Sequence, residues 1–455
     1  MVPSLERPRN DAVGPSRLRL AFRALHHRNF RLFISGQLVS LVGTWMQTVA
    51  QSWLVYRLTG SAALLGLVGF ASQIPVFLFA PLGGTLADRA HRKRIIIATQ
   101  TASMLLAFAL AGLTLSGTIR VWHVFVLAAL LGVVNAADIP ARQAFVVEMV
   151  GRDDMMNAIA LNSSIFNGAR VVGPAVAGLL VASIGEGWCF FANGASYLAV
   201  IAGLFAIRVH RAAAPQSTSS TLEQVAEGFR FVARTRPVRA LLLLLGVISL
   251  VGMPYAVLMP IFADRILHAG ARGLGILMGA SGVGALVGSL ALAARRGILG
   301  LGKWVAFSAA GFGVALVLFA VSKVFWLSAV FLLPVGFSMM VEMASSNTLI
   351  QAMVPDALRG RVMAVYSMMF MGMAPLGSLA AGWLAQRIGT PEAVVIDGAL
   401  SVVAAVVFGL RLPALRVEGR QLVVANQMVG GDPAQEAAVG LPPRAQRQEG
   451  RAGGA

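Results

Sequence analysis

Two acidic residues, Asp138 and Glu342, stand inside long apolar stretches of this 455-residue chain. An ionisable side chain in such surroundings is costly and usually serves a function. Burial among apolar side chains suits a carboxyl group to reversible proton binding near neutral pH. We therefore regard both acids as candidates for proton coupling.

Two arginines within apolar stretches are candidate charge partners of these acids. Arg142 lies four residues after Asp138, on the same face of a helix, and a pair between them would keep Asp138 ionised and structural. Arg170 is the candidate for an ion pair from another helix. Glu342 has no cation within four residues, which makes it the stronger proton-coupling candidate. Asp397 is a further acid in an apolar stretch.

The elements that must position these charges are long apolar helices. Only 12% of the residues are charged and 57% are hydrophobic, whereas a soluble domain is about 25% charged. Twelve stretches have membrane-crossing length: 31–56, 63–87, 94–116, 121–149, 158–184, 188–207, 238–263, 273–294, 303–322, 325–353, 362–386 and 391–410. Strands of a membrane barrel would be shorter and would alternate in polarity. The pattern predicts an all-α membrane protein with twelve transmembrane helices.

The basic residues predict the orientation of these helices. The net charge is +18, but the cations stand between apolar stretches, so we expect no nucleic acid as a partner. With the N-terminus inside, the outer side would hold only Arg57, Arg120, Arg265, Arg272, Lys323 and Arg387. This bias predicts cytoplasmic N and C termini. Residues 1–29 lack the short apolar core of a cleavable signal.

The chain repeats internally. Asp138 and Glu342 differ by 204 positions (342 − 138 = 204), and the same shift aligns residues 178–185 with 382–389. We therefore predict two six-helix halves related by pseudo-two-fold symmetry, with a substrate cavity between them and alternating access by rocking. The predicted divisions are a basic cytoplasmic N-segment (1–29), an N-terminal half (30–207), a cytoplasmic linker (208–237), a C-terminal half (238–411) and a disordered cytoplasmic tail (412–455).

The linker contains one predicted helix. Ser220 stands three residues before Glu223, a capping-box spacing, and apolar residues follow on one face. This pattern is typical of an amphipathic helix on the inner membrane surface, and a solvated linker helix remains the alternative.

Polar and aromatic side chains within the apolar stretches are candidates for a cavity wall. They are Gln37, Trp45, Gln47, Gln51, Asn162, Asn167, Tyr255 and Tyr366. His26 and His27 are expected at the membrane interface rather than on a metal, and the single cysteine, Cys189, is expected to pack in the core. We expect no metal site and no cofactor, since neither metal-ligand spacing nor a phosphate-binding loop occurs.

Residues 84–93 read Gly-Thr-Leu-Ala-Asp-Arg-Ala-His-Arg-Lys. This stretch resembles the loop 2–3 signature of the major facilitator superfamily, whose usual form has glycine where His91 stands. More narrowly, the chain resembles the branch that contains bacterial enterobactin exporters, through Phe30-Arg31, Gly36-Gln37, Gly43-Thr44-Trp45-Met46-Gln47 and Leu58-Thr59-Gly60-Ser61.

The resemblance implies a gating loop formed by Gly84, Asp88, Arg89 and Arg92. In the superfamily the loop aspartate is implicated in locking the halves together in one state. Here it would face the start of the eleventh span, where free N–H groups, Arg359 and Arg361 favour an anion. Arg92 would form an ion pair with Glu148, Asp153 or Asp154. The alternative is that these charges only enforce topology.

A looser resemblance lies in the fifth span. Gly173, Pro174 and Gly178 resemble the glycine–proline signature of drug–proton antiporters, although the glycine spacing differs by one residue. Small residues permit close helix contact and proline permits a bend, so generic helix packing is the alternative interpretation.

The resemblance implies a secondary active transporter of the bacterial inner membrane, not an enzyme, with the bilayer, protons and a small-molecule substrate as partners. We expect a monomer that performs proton-coupled efflux of a small organic molecule such as a siderophore or drug-like compound. A transporter of lysolipid or another metabolite is the alternative within this class. A non-transporting membrane sensor or scaffold is the alternative from another class.

Overall fold

The computed structural model describes residues 23–151, 154–208, 221–295 and 297–430, and within these ranges the regular structure is helical. The long helices are α1 (Arg28–Thr59), α2 (Ala62–Arg89), α3 (Arg92–Leu115), α4 (Val121–Val150), α5 (Met155–Ile184), α6 (Glu186–Ala206), α7 (Thr221–Arg234), α8 (Arg236–Ile266), α9 (Gly270–Ala293), α10 (Leu301–Val321), α11 (Phe325–Met353), α12 (Asp356–Ile388) and α13 (Thr390–Gly430).

Eleven helices in the described ranges are long and apolar enough to cross a membrane, namely α2–α6 and α8–α13. The all-helical membrane class predicted from the sequence is thus confirmed. Helix α1 has 32 residues but is not among the eleven, because hydroxyl and amide side chains interrupt its apolar surface. It is nevertheless packed against its neighbours: a Cβ on its Gly36 would lie 3.0 Å from Val200 Cα of α6.

The helix connections lie at two ends of the bundle. We call the end that carries His91, Asp154 and Arg208 the linker face, because the linker leaves from it. We call the end that carries Gly60 and Gly185 the opposite face. Left-handed glycines are required there: Gly60 ends α1 at φ 61° and Gly185 separates α5 from α6 at φ 88°.

Helix α8 is irregular, which the sequence pattern of an unbroken span did not predict. It passes through two π-helical turns, Ile248–Gly252 and Phe262–Ile266, which flank the α-helical segment Tyr255–Ile261. Pro254 and Pro260 lie near these turns. A proline has no N–H, so it cannot donate to the carbonyl four residues before it as a regular helix requires. Turns of this kind occur frequently at functional sites.

The predicted disorder from residue 412 is wrong for its first part. Helix α13 continues to Gly430. Its Leu412, Leu415 and Val423 line one groove together with Leu241 and Met353, so burial of apolar surface holds the extension in place. Residues 431–455 lie outside the described part of the chain.

Glycines bring the two predicted halves together. A Cβ on Gly66 of α2 would stand 2.9 Å from Gly382 Cα of α12, and a Cβ on Gly178 of α5 would stand 2.9 Å from Gly275 Cα of α9. Contacts this close exclude any side chain at these positions. All four glycines lie within about two turns of the opposite face, so the closest approach of the halves is there.

Candidate functional site

A central cavity of about 470 Å³ lies between the helices of the first half and those of the second. Its polar and aromatic wall includes Trp45, Gln47, Gln51, Asn193, Tyr197, Arg170, Tyr255 and Ser281. The first six come from α1, α5 and α6, whereas Tyr255 and Ser281 come from α8 and α9. The cavity is therefore bounded by helices from both of the predicted halves.

A second cavity of about 500 Å³ adjoins the central one and extends towards the linker face. The two cavities share Thr44, Trp45, Asn135 and Tyr197 on their walls. The second one reaches Asn162, seven residues from the start of α5 at Met155. Together they form a path from the middle of the bundle towards the linker face.

Most predicted cavity residues lie on these walls. Gln37 and Asn162 line the second cavity, Gln47, Gln51 and Tyr255 line the central one, and Trp45 lines both.

Two predicted cavity residues do not line either of these cavities. Asn167 is buried and its Nδ2 donates to the carbonyl of Ser163 on its own helix, at 2.9 Å. The Tyr366 hydroxyl donates to the Met343 carbonyl at 3.0 Å. In both cases a backbone carbonyl, on the same helix for Asn167 and on α11 for Tyr366, accepts from the polar group that the sequence suggested for a ligand.

Both carboxylate oxygens of Asp138 have ion-pair or hydrogen-bond partners. Arg142 Nε lies 2.7 Å from its carboxylate, Thr99 Oγ1 donates to it at 2.6 Å and Gln100 Nε2 donates at 3.1 Å. Arg142 also donates to Gln37 Oε1 at 2.9 Å. This geometry favours the alternative in which Asp138 is an ionised, structural residue on the wall of the second cavity.

Glu342 has a different environment. It is only 1% exposed and accepts a hydrogen bond from Ser346 Oγ at 3.1 Å. Among the described residues, no lysine or arginine forms an ion pair with it. It can therefore exchange a proton without breaking an ion pair. It does not line either of the two cavities described above.

The sequence suggested an ion pair between Arg170 and one of the acids. The structure shows no such pair among the described residues. The Arg170 guanidinium lies 5.8 Å from the ring centroid of Trp45. Asp138 already has partners on its own helix and on α3. Arg170 therefore presents its charge to the central cavity.

The glycine–proline signature of α5 serves close packing on two sides. A Cβ on Gly173 would lie 3.0 Å from the Val42 carbonyl of α1, whereas Gly178 faces α9 as described above. Pro174 lies on the wall of the central cavity. These contacts account for the small residues through packing alone.

The predicted gating loop is described only in part, since the side chains of Asp88 and Arg89 lie outside the description. Arg92 Nη1 lies 2.6 Å from Glu148 Oε1, and its Nε donates to the Ala87 carbonyl at 3.1 Å. A Cβ on Gly84 would meet nothing within 4 Å. The packed glycine is its neighbour Gly83, which approaches the Ala136 carbonyl of α4.

The cations expected opposite this loop have other partners. Arg359 pairs with Asp356 at 2.5 Å, and Arg361 pairs with Glu227 of α7. Helix α7 packs on α12 here, because Gly228 lets it approach the Arg361 backbone. The amphipathic linker helix thus uses part of its surface against α12.

A polar cluster that the sequence analysis did not single out joins the halves at the opposite face. The Tyr56 hydroxyl of α1 donates to Asp264 Oδ2 of α8 at 2.6 Å, and the Arg265 guanidinium lies 5.7 Å from the Tyr56 ring. Gln386 Oε1 of α12 accepts from Ser61 Oγ at 3.1 Å. We call these five residues the opposite-face latch. The adjacent charges at 264 and 265, beside a span end, were the only sequence signal.

Comparison with known proteins identifies the family. The sequence model of the transmembrane secretion effector family matches residues 20–438. The chain belongs to this family. No group of three or more potential metal ligands occurs among the described residues.

The chain is similar over most of its length to several named transporters. It is 25% identical to the staphyloferrin A transporter of Staphylococcus aureus, over 83% of this chain and 95% of that one. It is 29% identical to the multidrug efflux pump Tap of Mycobacterium tuberculosis, over 85% and 93%. The enterobactin exporter EntS of Shigella boydii is 26% identical over 74% and 80%. The predicted superfamily and branch are confirmed.

Solved structures share the fold. The nucleoside transporter NupG superposes with a TM-score of 0.64 at 15% identity, over 86% of this chain and 99% of that one. The peptide transporter PepTSo gives 0.65 at 12% identity, over 86% and 99%. These structures show the fold alone; the family match and the named relatives identify the chain as a transporter of the major facilitator type and not an enzyme.

Proposed function

We propose that this protein exports a small organic molecule across the bacterial cytoplasmic membrane by alternating access, driven by proton uptake. The central cavity carries the proposal. It lies between the two halves, it continues towards the linker face, and glycine contacts and the latch close it at the opposite face. The basic residues support a cytoplasmic linker face, so the cavity would open to the cytoplasm.

The internal repeat supports two rocking halves of six helices each, with α1 as the twelfth span. Gly275 and Gly382 correspond in the repeat to Gly66 and Gly178. The two contacts that join the halves, Gly66 with Gly382 and Gly178 with Gly275, are therefore exchanged by the same pseudo-symmetry. Halves that meet through two equivalent smooth contacts can rock about them.

Glu342 is the proposed proton-coupling residue. The two acids are equivalent in the repeat, but only Glu342 lacks an ion-pair partner among the described residues. A proton arriving at Glu342 changes the net charge of the second half by one unit. A proton arriving at Asp138 would first have to displace Arg142.

Relatives named for siderophores and for drugs support export of a molecule of that size. A transporter of another metabolite or lysolipid is the second candidate within the class. A sensor or scaffold has less support, because the cavity holds charged side chains that a non-transporting protein would have no reason to keep.

The test is transport by the purified protein in proteoliposomes of inside-out orientation. A panel of siderophores and dye-like drugs is offered with and without an imposed proton gradient, and internal pH is followed. Substrate-dependent proton flux supports the proposal. Absence of any flux across the panel, with the gradient verified, contradicts it and supports the sensor.

A further inference from the structure

The charges on the cavity walls do not balance. The charged side chains that line the two cavities in the described ranges are Asp138, Arg142 and Arg170. Asp138 and Arg142 neutralise each other across 2.7 Å. One positive charge remains, and it belongs to Arg170.

Arg170 is held in place without being neutralised. The Trp45 ring lies beside its guanidinium, and Trp45 is fixed in turn by Phe166, with ring centroids 5.7 Å apart. The close approach of α5 to α1 at Gly173 sets this geometry. An aromatic ring beside a guanidinium accepts none of its N–H groups in a conventional hydrogen bond, so these groups can still bind a carboxylate with two parallel hydrogen bonds.

The second half supplies a donor to the same cavity. The Tyr255 and Ser281 hydroxyls lie 2.8 Å apart, and only one of the two protons is used between them. The other remains available for an acceptor in the cavity. Tyr255 reaches this position from the helical segment between the two π turns of α8.

We propose that Arg170 binds an anionic oxygen, such as a carboxylate, of the exported molecule, with a flat apolar part of the substrate lying in the Trp45 region of the cavity. The apolar share of the wall fits this division, since valines, Leu65, Pro174 and Met278 surround the polar groups. The substrate class is thus a small organic acid. This inference rests on the proposed function and names the substrate of that same cavity.

Binding of such an anion would involve both halves. The carboxylate would meet Arg170 of α5, and a second oxygen would accept from the Tyr255–Ser281 pair of α8 and α9. A ligand that bridges the halves stabilises the arrangement in which both sets of groups face one cavity, which is how substrate binding biases a two-state transporter.

The test uses two dyes that share a xanthene ring, fluorescein as the anion and rhodamine 123 as the cation. Binding to purified protein in nanodiscs is followed by fluorescence polarisation, and transport is followed in proteoliposomes. The variants are Arg170→Gln, which removes the charge, and Arg170→Lys, which keeps the charge and loses the planar fork. The control is Arg387→Gln, which removes an exposed arginine lying 5.0 Å from the Trp383 ring centroid.

Wild-type protein should prefer fluorescein. Arg170→Gln should weaken fluorescein binding by about tenfold to a hundredfold, the range of a charge-assisted hydrogen bond, and should leave rhodamine 123 binding unchanged or tighter. Arg170→Lys should fall between, and Arg387→Gln should match the wild type. Because Arg170 has no ion pair among the described residues, Arg170→Gln should lose only the contact with the Trp45 ring and should melt close to the wild-type temperature, whereas removal of an ion-paired arginine would lower that temperature.

Unchanged fluorescein binding and transport in Arg170→Gln would overturn this inference and leave the proposed transport function intact. Wild-type protein that transports rhodamine 123 but does not transport fluorescein would also overturn this inference and leave the proposed transport function intact. Wild-type protein that moves neither dye, in vesicles with a verified gradient, would count against both proposals.

Discussion

At the scale of single residues, equivalent positions have acquired different chemistry. Asp138 and Glu342 share a place in the repeat, but Asp138 has Arg142 one turn away and hydroxyl and amide donors from α3. Glu342 has a single serine hydroxyl from its own helix. The sequence allowed the Asp138–Arg142 pair to be predicted, as the structural alternative to proton coupling at Asp138. The contacts of Thr99 and Gln100 were not, because they depend on how α3 and α4 cross.

Removal of the Glu342 carboxyl group should separate folding from coupling. We expect Glu342→Gln to insert and fold normally, because glutamine keeps an acceptor for Ser346, and to lose substrate movement driven by a pH gradient. The measurement is internal pH during transport in proteoliposomes. Glu418→Gln is the control, since Glu418 pairs with Arg236 at 3.5 Å on the linker face. Proton flux at the wild-type rate in Glu342→Gln would rule out the coupling role.

Asp138 should behave as a structural residue. Asp138→Asn leaves Arg142 without its charge partner and should cost about 3 kcal/mol of stability, the scale of breaking a buried ion pair. The double variant Asp138→Asn with Arg142→Gln should recover much of that loss. Thermal unfolding in detergent measures both. If the double variant is no more stable than the single one, the pair is not what stabilises this site.

At the scale of helices, the sequence predicts where the spans lie but not how closely they approach. Gly84 belongs to the recognised motif and Gly83 directly precedes it, but only Gly83 packs tightly, against α4. The π turns of α8 and the extension of α13 were missed for a related reason. A hydropathy pattern reports burial, whereas proline-induced backbone shifts and docking of a helix end depend on tertiary neighbours.

Enlarging one glycine between the halves should disturb closure. Gly178→Val places a branched side chain against the α9 backbone at Gly275 and should push the halves apart at the opposite face. Gly168→Val on the same helix is the control, because a Cβ there meets nothing within 4 Å. In a Gln51→Cys background, labelling by a membrane-impermeant maleimide added on the opposite face should increase in Gly178→Val only. Equal labelling of the two variants would show that this contact does not control access.

At the scale of the whole molecule, the two ends of the bundle are closed to different degrees. The latch and the glycine contacts join the halves at the opposite face, whereas the cavities extend towards the linker face. The latch residues come from α1, from the N-cap of α2, and from α8 and α12, so their meeting depends on the complete fold. Superfamily membership was nevertheless predictable, since span number, repeat and loop motif are properties of the sequence itself.

Weakening the latch should favour opening at the opposite face. The hydrogen bond from Tyr56 to the Asp264 carboxylate is charge-assisted and worth about 1.5–3 kcal/mol, so Tyr56→Phe should increase the open population about tenfold or more. The same Gln51→Cys labelling from the opposite face measures it. Lys323→Gln, an exposed change at that face, should have no effect. An unchanged labelling rate in Tyr56→Phe would exclude the latch as a barrier.

The lone charge of Arg170 has an electrical consequence. Moving one elementary charge across a membrane potential of 100 mV changes its free energy by about 2.3 kcal/mol. With the proposed orientation, an inside-negative potential draws an empty, positively charged cavity towards the cytoplasmic opening. A bound monoanion cancels that charge, and with Glu342 ionised the loaded carrier has one net negative charge, so the same potential favours its outward turn. With a proton on Glu342, the empty carrier keeps the positive charge of Arg170 during its return. Both turns of the proposed cycle are therefore expected to depend on voltage.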